Sequence, residues 1–544
     1  MSPAPWPPAG GFYPLFNAHP FAGIEPMSHC PAGSPSSVPF HQLQTRLKAL
    51  WRSPDEFDVR NCQVLVVPSL SLDQAELQKI EGVNYYEERL LFSLARLRNP
   101  HTRLIYVTSL PLHPSIIDYY LELLPGIPSS HARERLALFS TYDASQKPLT
   151  QKLLERPRLL QKIRSCLDAE HAYMVCYNST PLERELALQL QIPLLALDPD
   201  LLYWGTKSGS RQIFAECGIP HPDGSNRVHN ADDLAAVTAD LWARQPHLKR
   251  IVIKLNEGFS GEGNALLQLA PLADTLSSTA APQARVKAIR LGLEQLRFQC
   301  KTETWPHFEQ KISELGAIAE AFIEGEQKRS PSAQGHINPL GEVEMLSTHD
   351  QVLGGPDGQI FLGCSFPADV GYRLAIQEMG AAIGKNLAAK GALERYGVDF
   401  VAVHHPERTP QWELQAIEIN LRKGGTTHPF MALKLLTDGQ YNSGDGLFYT
   451  RQGQPKFYRA SDNLQKDAYR GLLPSDLMDI IVSDRLHFNS AEGVGAAFHL
   501  MGCLSEYGKL GLTCIGNSRT QADEIYAQVV NSLDRATTDQ SLPG

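Results

Sequence analysis

Long apolar runs are missing from this 544-residue chain. None approaches the roughly 20 residues that cross a bilayer as a helix, so a membrane role is not expected. A C-x-x-C pair is missing too. The nine cysteines are scattered, which suits reduced thiols better than a disulfide framework. The N-terminal stretch MSPAPWPPAGGFYPLF has neither the basic start nor the apolar core of a secretory signal, and a cytoplasmic location is expected. Positive charge is not in excess: 59 acids against 50 bases leave a net charge of −9. Overall charge therefore lends no support to a nucleic-acid partner. Neither G-x-x-x-x-G-K-[ST] nor G-x-G-x-x-G occurs, which excludes a Walker A loop and argues against a dinucleotide fingerprint. The nearest decoy, Gly380 to Asn386, has the wrong spacing and reads as mid-helix. No internal repeat is visible.

What is there fits a globular enzyme: 42% hydrophobic and 20% charged residues, in a length that admits two to four domains. Residues 1–57 begin as a Pro/Gly-rich arm, read as mobile. Trp6, Phe12, Tyr13, Phe16 and Phe21 leave room for packing on the body or on a second subunit. From 58 to 200, apolar strands at 63–68, 103–108, 172–177 and 193–197 alternate with helices at 73–98, 148–167 and 181–190. That alternation predicts a doubly wound parallel α/β sheet. A second unit, 201–470, opens with a helix at Lys207. It continues through a strand at 250–255, a long insert at 271–314, a strand at 317–323, a helix at 373–390 and strands at 398–403 and 412–419. A last segment, 471–544, is expected to hold helices at 492–507 and 520–535.

The run from Trp412 to Pro429 is the richest in chemistry. It reads as a strand ending in Glu418-Ile419-Asn420, then a basic glycine turn, Arg422-Lys423-Gly424-Gly425-Thr426-Thr427. Alternate strand residues share a face, so Glu418 and Asn420 project together as hard oxygen ligands of the kind Mg²⁺ takes. Asp399, one presumed hairpin earlier, would face Glu418. Two such acids repel unless a cation lies between them. Lys254 ends a β-branched strand and precedes a flexible loop containing Gly258, Ser260, Gly261 and Gly263. Such a lysine and loop suit a phosphate under a lid, and equally an exposed hairpin. Glu320, Phe322 and Ile323 read as an edge-like strand whose backbone suits adenine, with Glu326 for ribose hydroxyls; taken alone they also read as a plain amphipathic strand. Cys364 reads as a small buried hydrophobe rather than a nucleophile. His404-His405 lack a third zinc ligand at suitable spacing.

In this order, Lys207, Lys254 with its loop, Glu320–Glu326, Asp399 and Glu418-x-Asn420 resemble the ATP-grasp superfamily of carboxylate–amine ligases. Longer stretches resemble the pheganomycin-type peptide ligases. These are Leu202–Arg211, Lys254–Asn264, Thr348–Gly355, Glu418–Pro429, Phe498–Met501 and Gly508–Asn517. The likeness runs from about 58 to 540. It implies a pre-ATP-grasp α/β domain, then two α+β lobes hinged near 320–326 and a small C-terminal domain, with ATP and Mg²⁺ as cofactors. It implies an acyl-phosphate route joining a small carboxylic acid to the amine of an amino acid or peptide, in a homodimer. Lys207 and Lys254 would hold phosphates; Asp399, Glu418 and Asn420 would hold Mg²⁺. Arg422 would take the substrate carboxylate or the transferring phosphoryl group, and Gly425, Thr426 and Thr427 the acyl phosphate. Arg329, Arg373 and His428 are further substrate candidates; His428 fits a structural turn equally well. A regulatory nucleotide-binding protein without ligase activity and a small-molecule kinase stand as alternatives. ADP release that depends on both acid and amine separates them.

Overall fold

The computed structural model describes residues 37–51, 62–258, 263–273, 281–299, 303–354 and 360–539. Most of the N-terminal arm, with its aromatic residues before position 37, lies outside them. Its residues 37–44 pack on the body. Ser37–Gln44 is a helix with Phe40 fully buried, and Gln44 bonds both the N–H and the C=O of Leu194.

The first sheet contains β1 (Cys62–Val67), β2 (Thr102–Thr108), β3 (Leu136–Ser140), β4 (Ala172–Cys176) and β5 (Leu194–Leu195), in the order β3-β2-β1-β4-β5. All its pairings are parallel, as the doubly wound reading expects. Val64 and Val66 enter one core while Leu65 and Val67 enter another, because successive strand residues face opposite sides. The helix Pro181–Leu190 starts at a capping box made by Thr180 and Glu183. Two predicted helices are broken. Gly82, at φ 69°, separates a short helix, Gln74–Gln78, from the 3₁₀ helix Val83–Arg98. Pro157 starts a new helix where one continuous helix was expected.

A four-stranded antiparallel sheet follows: β6 (Arg250–Leu255), β7 (Asn264–Gln268), β8 (Arg297–Phe298) and β9 (Ala317–Ala321), in the order β8-β7-β6-β9. The helices Ala231–Arg244, Pro282–Leu293 and Trp305–Leu315 share its core. The 271–314 insert thus supplies two of the helices and an edge strand.

The third sheet has eleven strands. They are β10 (Lys328–Arg329), β11 (Pro331–Ile337), β12 (Val343–Gly354), β13 (Ile360–Phe366), β14 (Glu394–His404), β15 (Trp412–Asn420), β16 (Gln440–Asn442), β17 (Leu447–Tyr449), β18 (Pro455–Gln465), β19 (Gly495–His499) and β20 (Lys509–Gly516). The helix Arg373–Ala389 packs on β11 and β12. The helix expected at 492–507 is instead β19 followed by a short helix, Cys503–Tyr507. Gly495 sits at φ 128°, where a Cβ would meet the His487 carbonyl oxygen at 2.5 Å, and pairing with β20 outweighs local helix propensity. The helix Arg519–Asp539 covers β20 and β18. Residues of the parallel sheet share one core with Leu477, Phe498, Leu512, Val529 and Leu533.

Candidate active site

The β14–β15 pairing is antiparallel, with Asp399 opposite Glu418 and Gly397 opposite Asn420. A bulge follows Asp399 and re-aims the strand locally. Asp399 accepts hydrogen bonds from Gln351 Nε2 at 2.7 Å and Asn420 Nδ2 at 3.0 Å. Glu418 accepts from Lys207 Nζ at 2.6 Å. Burial, then the facing Glu418, pushes the Asp399 carboxyl up to about 7. For Glu418, burial acts upward, but Lys207, Lys254 and Arg422 outweigh it and hold the carboxyl below its ordinary value. The set Asp399, Glu418 and Asn420 offers only oxygen ligands, and one acid is pushed toward protonation by burial and then by the other. Both facts fit a hard divalent cation.

Lys254 makes a matching pair on the small sheet, with Nζ 2.5 Å from Glu320 Oε2. Val252 is opposite Glu320, so Lys254, two residues on, lies diagonally across the same face. Glu320 also takes Arg211 Nη1 at 3.2 Å and is 2% exposed. Its side chain is therefore the counter-ion of Lys254 and Arg211.

Asn256 joins the two lysines. Its carbonyl accepts from Lys207 N–H and its Oδ1 from Ser208 N–H, both at 3.0 Å. Its Nδ2 is buried with no acceptor, a donor left over beside the start of the Lys207 helix. That arrangement fits an oxyanion. Thr206 caps the helix Lys207–Glu216 by accepting from Gly209 N–H. Ser210 Oγ accepts from Ile419 N–H, which fixes β15 between its two presumed ligands. Asn256, Ser210 and Gln351 have no role in the sequence reading. The position of Asn256 two residues after Lys254, on the same side of an extended chain, is the one signal that could have marked it.

The turn after β15 is anchored at Lys423. Its ammonium lies 2.7 Å from Glu394 Oε2 and 2.9 Å from the Cys176 carbonyl. Gly424 N–H donates to Thr427 Oγ1. Gly425 lies against Phe361, where a Cβ would come within 2.6 Å of the ring. Thr426 and Thr427 are buried. Arg422 is half-buried and acts electrostatically on both Asp399 and Glu418.

Other expected residues lie differently. His428 is buried, bonded to Tyr120 Oη at 2.9 Å and stacked on His499 at 4.0 Å. Burial pushes it down to about 3, and these contacts are those of the structural turn role. Arg373 donates through Nε to the Asp445 carbonyl, which gives it a loop to hold. Arg329 and Glu326 are exposed. The predicted strand at 317–323 ends at Ala321. Phe322 lies under the Arg250 guanidinium at 3.9 Å, and the Ile323 carbonyl takes Lys328 Nζ at 3.2 Å. Gly258 is exposed, Gly263 accepts from Leu255 N–H, and Ser260 and Gly261 lie outside the described residues. Cys364 is 1% exposed.

Residues 201–291 and 293–444 match the family described as IQCH-like, ATP-grasp. Residues 201–444 are in this way similar to an ATP-grasp family. Residues 476–529 match the PGM1 C-terminal domain. Over 467 residues, 84% of this chain and 91% of the relative, the chain is 29% identical to L-propargylglycine–L-glutamate ligase of Streptantibioticus cattleyicolor. It is 23% identical over 446 residues to IQ motif-containing protein H of Danio rerio, matching 74% of this chain and 41% of that longer protein. Among solved structures, biotin carboxylase of Campylobacter jejuni matches 88% of this chain and 95% of its own, at 11% identity and a TM-score of 0.51. The biotin carboxylase domain of Hydrogenobacter thermophilus 2-oxoglutarate carboxylase matches 86% and 90%, also at 11% identity and 0.51. These two likenesses establish the ATP-grasp fold.

Proposed function

We propose that this chain is an ADP-forming ligase that activates a carboxylic acid as an acyl phosphate and joins it to an amine. The observation that carries this is the pairing of Lys207 with Glu418 and Lys254 with Glu320, together with an orphaned Asn256 amide and the all-oxygen set at Asp399, Glu418 and Asn420. On nucleotide binding the two lysines exchange carboxylate for phosphate. Asp399, Glu418 and Asn420 would hold Mg²⁺, which supplies charge neutralisation for phosphoryl transfer. Arg422 orients the acid substrate, a guanidinium being matched to a carboxylate. A carboxylate oxygen attacks the γ-phosphorus and ADP leaves. The amine nitrogen then attacks the acyl carbon, phosphate leaves and the nitrogen loses a proton. Donors of the Gly424–Thr427 turn would take the acyl phosphate.

The ligase relative names two α-amino acids, so L-amino acids paired with L-glutamate are the first combinations to screen. ADP and phosphate release should require both partners, and mass spectrometry should find the amide. Release of AMP and pyrophosphate sinks the reading. Glu418→Gln should lower turnover by about 10³-fold or more, an order typical of losing an electrostatic catalyst, with an unchanged melting temperature. Wild-type rates in that variant would remove Glu418 from the site.

A further inference from the structure

A second charged cluster lies outside the residues assigned so far. Arg89, in the 3₁₀ helix Val83–Arg98, is 6% exposed. Its guanidinium lies between two tyrosine rings, 4.4 Å from the Tyr86 centroid and 4.3 Å from that of Tyr177. Asp462, 8% exposed, faces it with Oδ2 3.5 Å from Nη1, longer than an ordinary charge-assisted hydrogen bond. Arg89 Nε is buried with no acceptor. A guanidinium carries five donors and cannot shed its charge in a protein, so burying one with so little hydrogen bonding is costly. Asp462 is equally underused, with a 3.4 Å contact from Asn463 Nδ2.

The surrounding charge is positive. Lys509 donates to Tyr86 Oη at 2.8 Å. Of the buried acids nearby, burial pushes Glu88 up to about 8 and Glu87 up to about 7, which weakens them as counter-ions. His428 and His499 are held neutral by burial. Asp462 therefore faces two buried cations, with the exposed Glu81 further out. The cluster also adjoins the turn assigned to the acyl phosphate, by two routes. The Tyr177 carbonyl accepts from Lys423 N–H. Asn463, next to Asp462, donates to the Phe361 carbonyl, and the Phe361 ring packs on Gly425.

A buried guanidinium with spare donors takes a carboxylate, and a loosely held carboxylate beside it takes an ammonium. An α-amino acid carries both groups on one carbon. We propose that Arg89 and Asp462 form the head-group subsite for the amine substrate: an α-amino acid with its carboxylate on Arg89 and its amino group facing Asp462. This deepens the ligase reading and rests on it for the fate of the bound amino acid.

The test is calorimetric titration of the full chain, with Mg²⁺ and a non-hydrolysable ATP analogue present, using the L-amino acids and their decarboxylated amines. Amino acids should bind and the matching amines should bind at least ten-fold more weakly. Arg89→Met and Arg89→Lys should each weaken amino-acid binding ten-fold or more, and Asp462→Asn should do the same. Affinity for the nucleotide analogue should be unchanged. A merely structural Arg89 would instead disturb nucleotide and amino-acid binding together. Amino-acid affinity that survives Arg89→Met, or amines binding as well as amino acids, overturns the subsite; so does ADP release that uses only amines lacking a carboxylate, although the ligase reading survives it. Amino-acid binding that depends on Arg89, with no ADP formed from any pair, overturns the ligase reading and leaves the subsite standing.

Discussion

Glu88 is an acid kept where a charge is expensive. It is fully buried, and its carboxyl oxygens accept from Gly502 N–H at 3.1 and 3.3 Å. Burial pushes its pKa up to about 8. The folded chain therefore keeps a proton that the unfolded chain releases near 4.5, and stability falls as pH rises from about 4.5 to about 8. Glu88→Gln keeps the acceptor oxygen and cannot ionise. Calorimetric melting at pH 5, 6.5 and 8 should show a shallower decline in the variant, with a gain of about 1–3 kcal/mol at pH 8. An equal loss at every pH would show that packing, not charge, governs the position. At the same scale, Asp399 and Glu418 were legible as a facing pair because strand alternation fixes which side chains share a face. Their partners were not. Gln351, which bonds Asp399, lies on another strand, while Asn256 past the end of β6 and Ser210 on a helix support the Lys207 turn and β15; no local pattern ties a polar side chain to a strand it meets only after folding.

The helix Lys207–Glu216 is set by its first turn. A Cβ on Gly209 would lie 2.0 Å from the Tyr203 carbonyl oxygen, a backbone atom that cannot step aside. Gly209→Ala should displace the helix start, cost about 1–3 kcal/mol as overpacking does, and raise the KM for ATP at least ten-fold by moving Lys207. Steady-state kinetics beside a urea melt check both effects, and an unchanged KM would free Lys207 from dependence on that turn. The element was readable in advance, as were Pro181–Leu190 and the β14–β15 hairpin, since caps and period-two alternation are local signals. The strands β11, β12 and β18 were not. Gln334 and His336, Ser347 to Gln351, and Ser461 to Gln465 put polar residues through the strands that pair in the large sheet. Their strand character comes from neighbours distant in sequence.

Across the whole molecule, Lys423 ties the large sheet to the parallel one. Burial acts to raise the Glu394 carboxyl, but Lys423 and Arg395 outweigh it and hold it down to about 2. Lys423→Met would leave that carboxylate buried without its closest cation, at a cost of about 3–5 kcal/mol, visible as a lower urea midpoint. Lys423→Met combined with Glu394→Gln should recover part of the loss. A single variant as stable as the parent would mean that the two sheets do not depend on this tie. The other connection is apolar. Val64, Val66, Leu104 and Tyr106 of the parallel sheet share a core with Leu512, Val529 and Leu533, contributed by the last strand and helix. A ribosome adding roughly 5–20 residues per second takes tens of seconds to go from the end of that sheet to Leu533. Throughout that interval the helices Val83–Arg98 and Pro114–Glu122 can already pack on the nascent sheet, while the part of the core that Leu512, Val529 and Leu533 complete stays open.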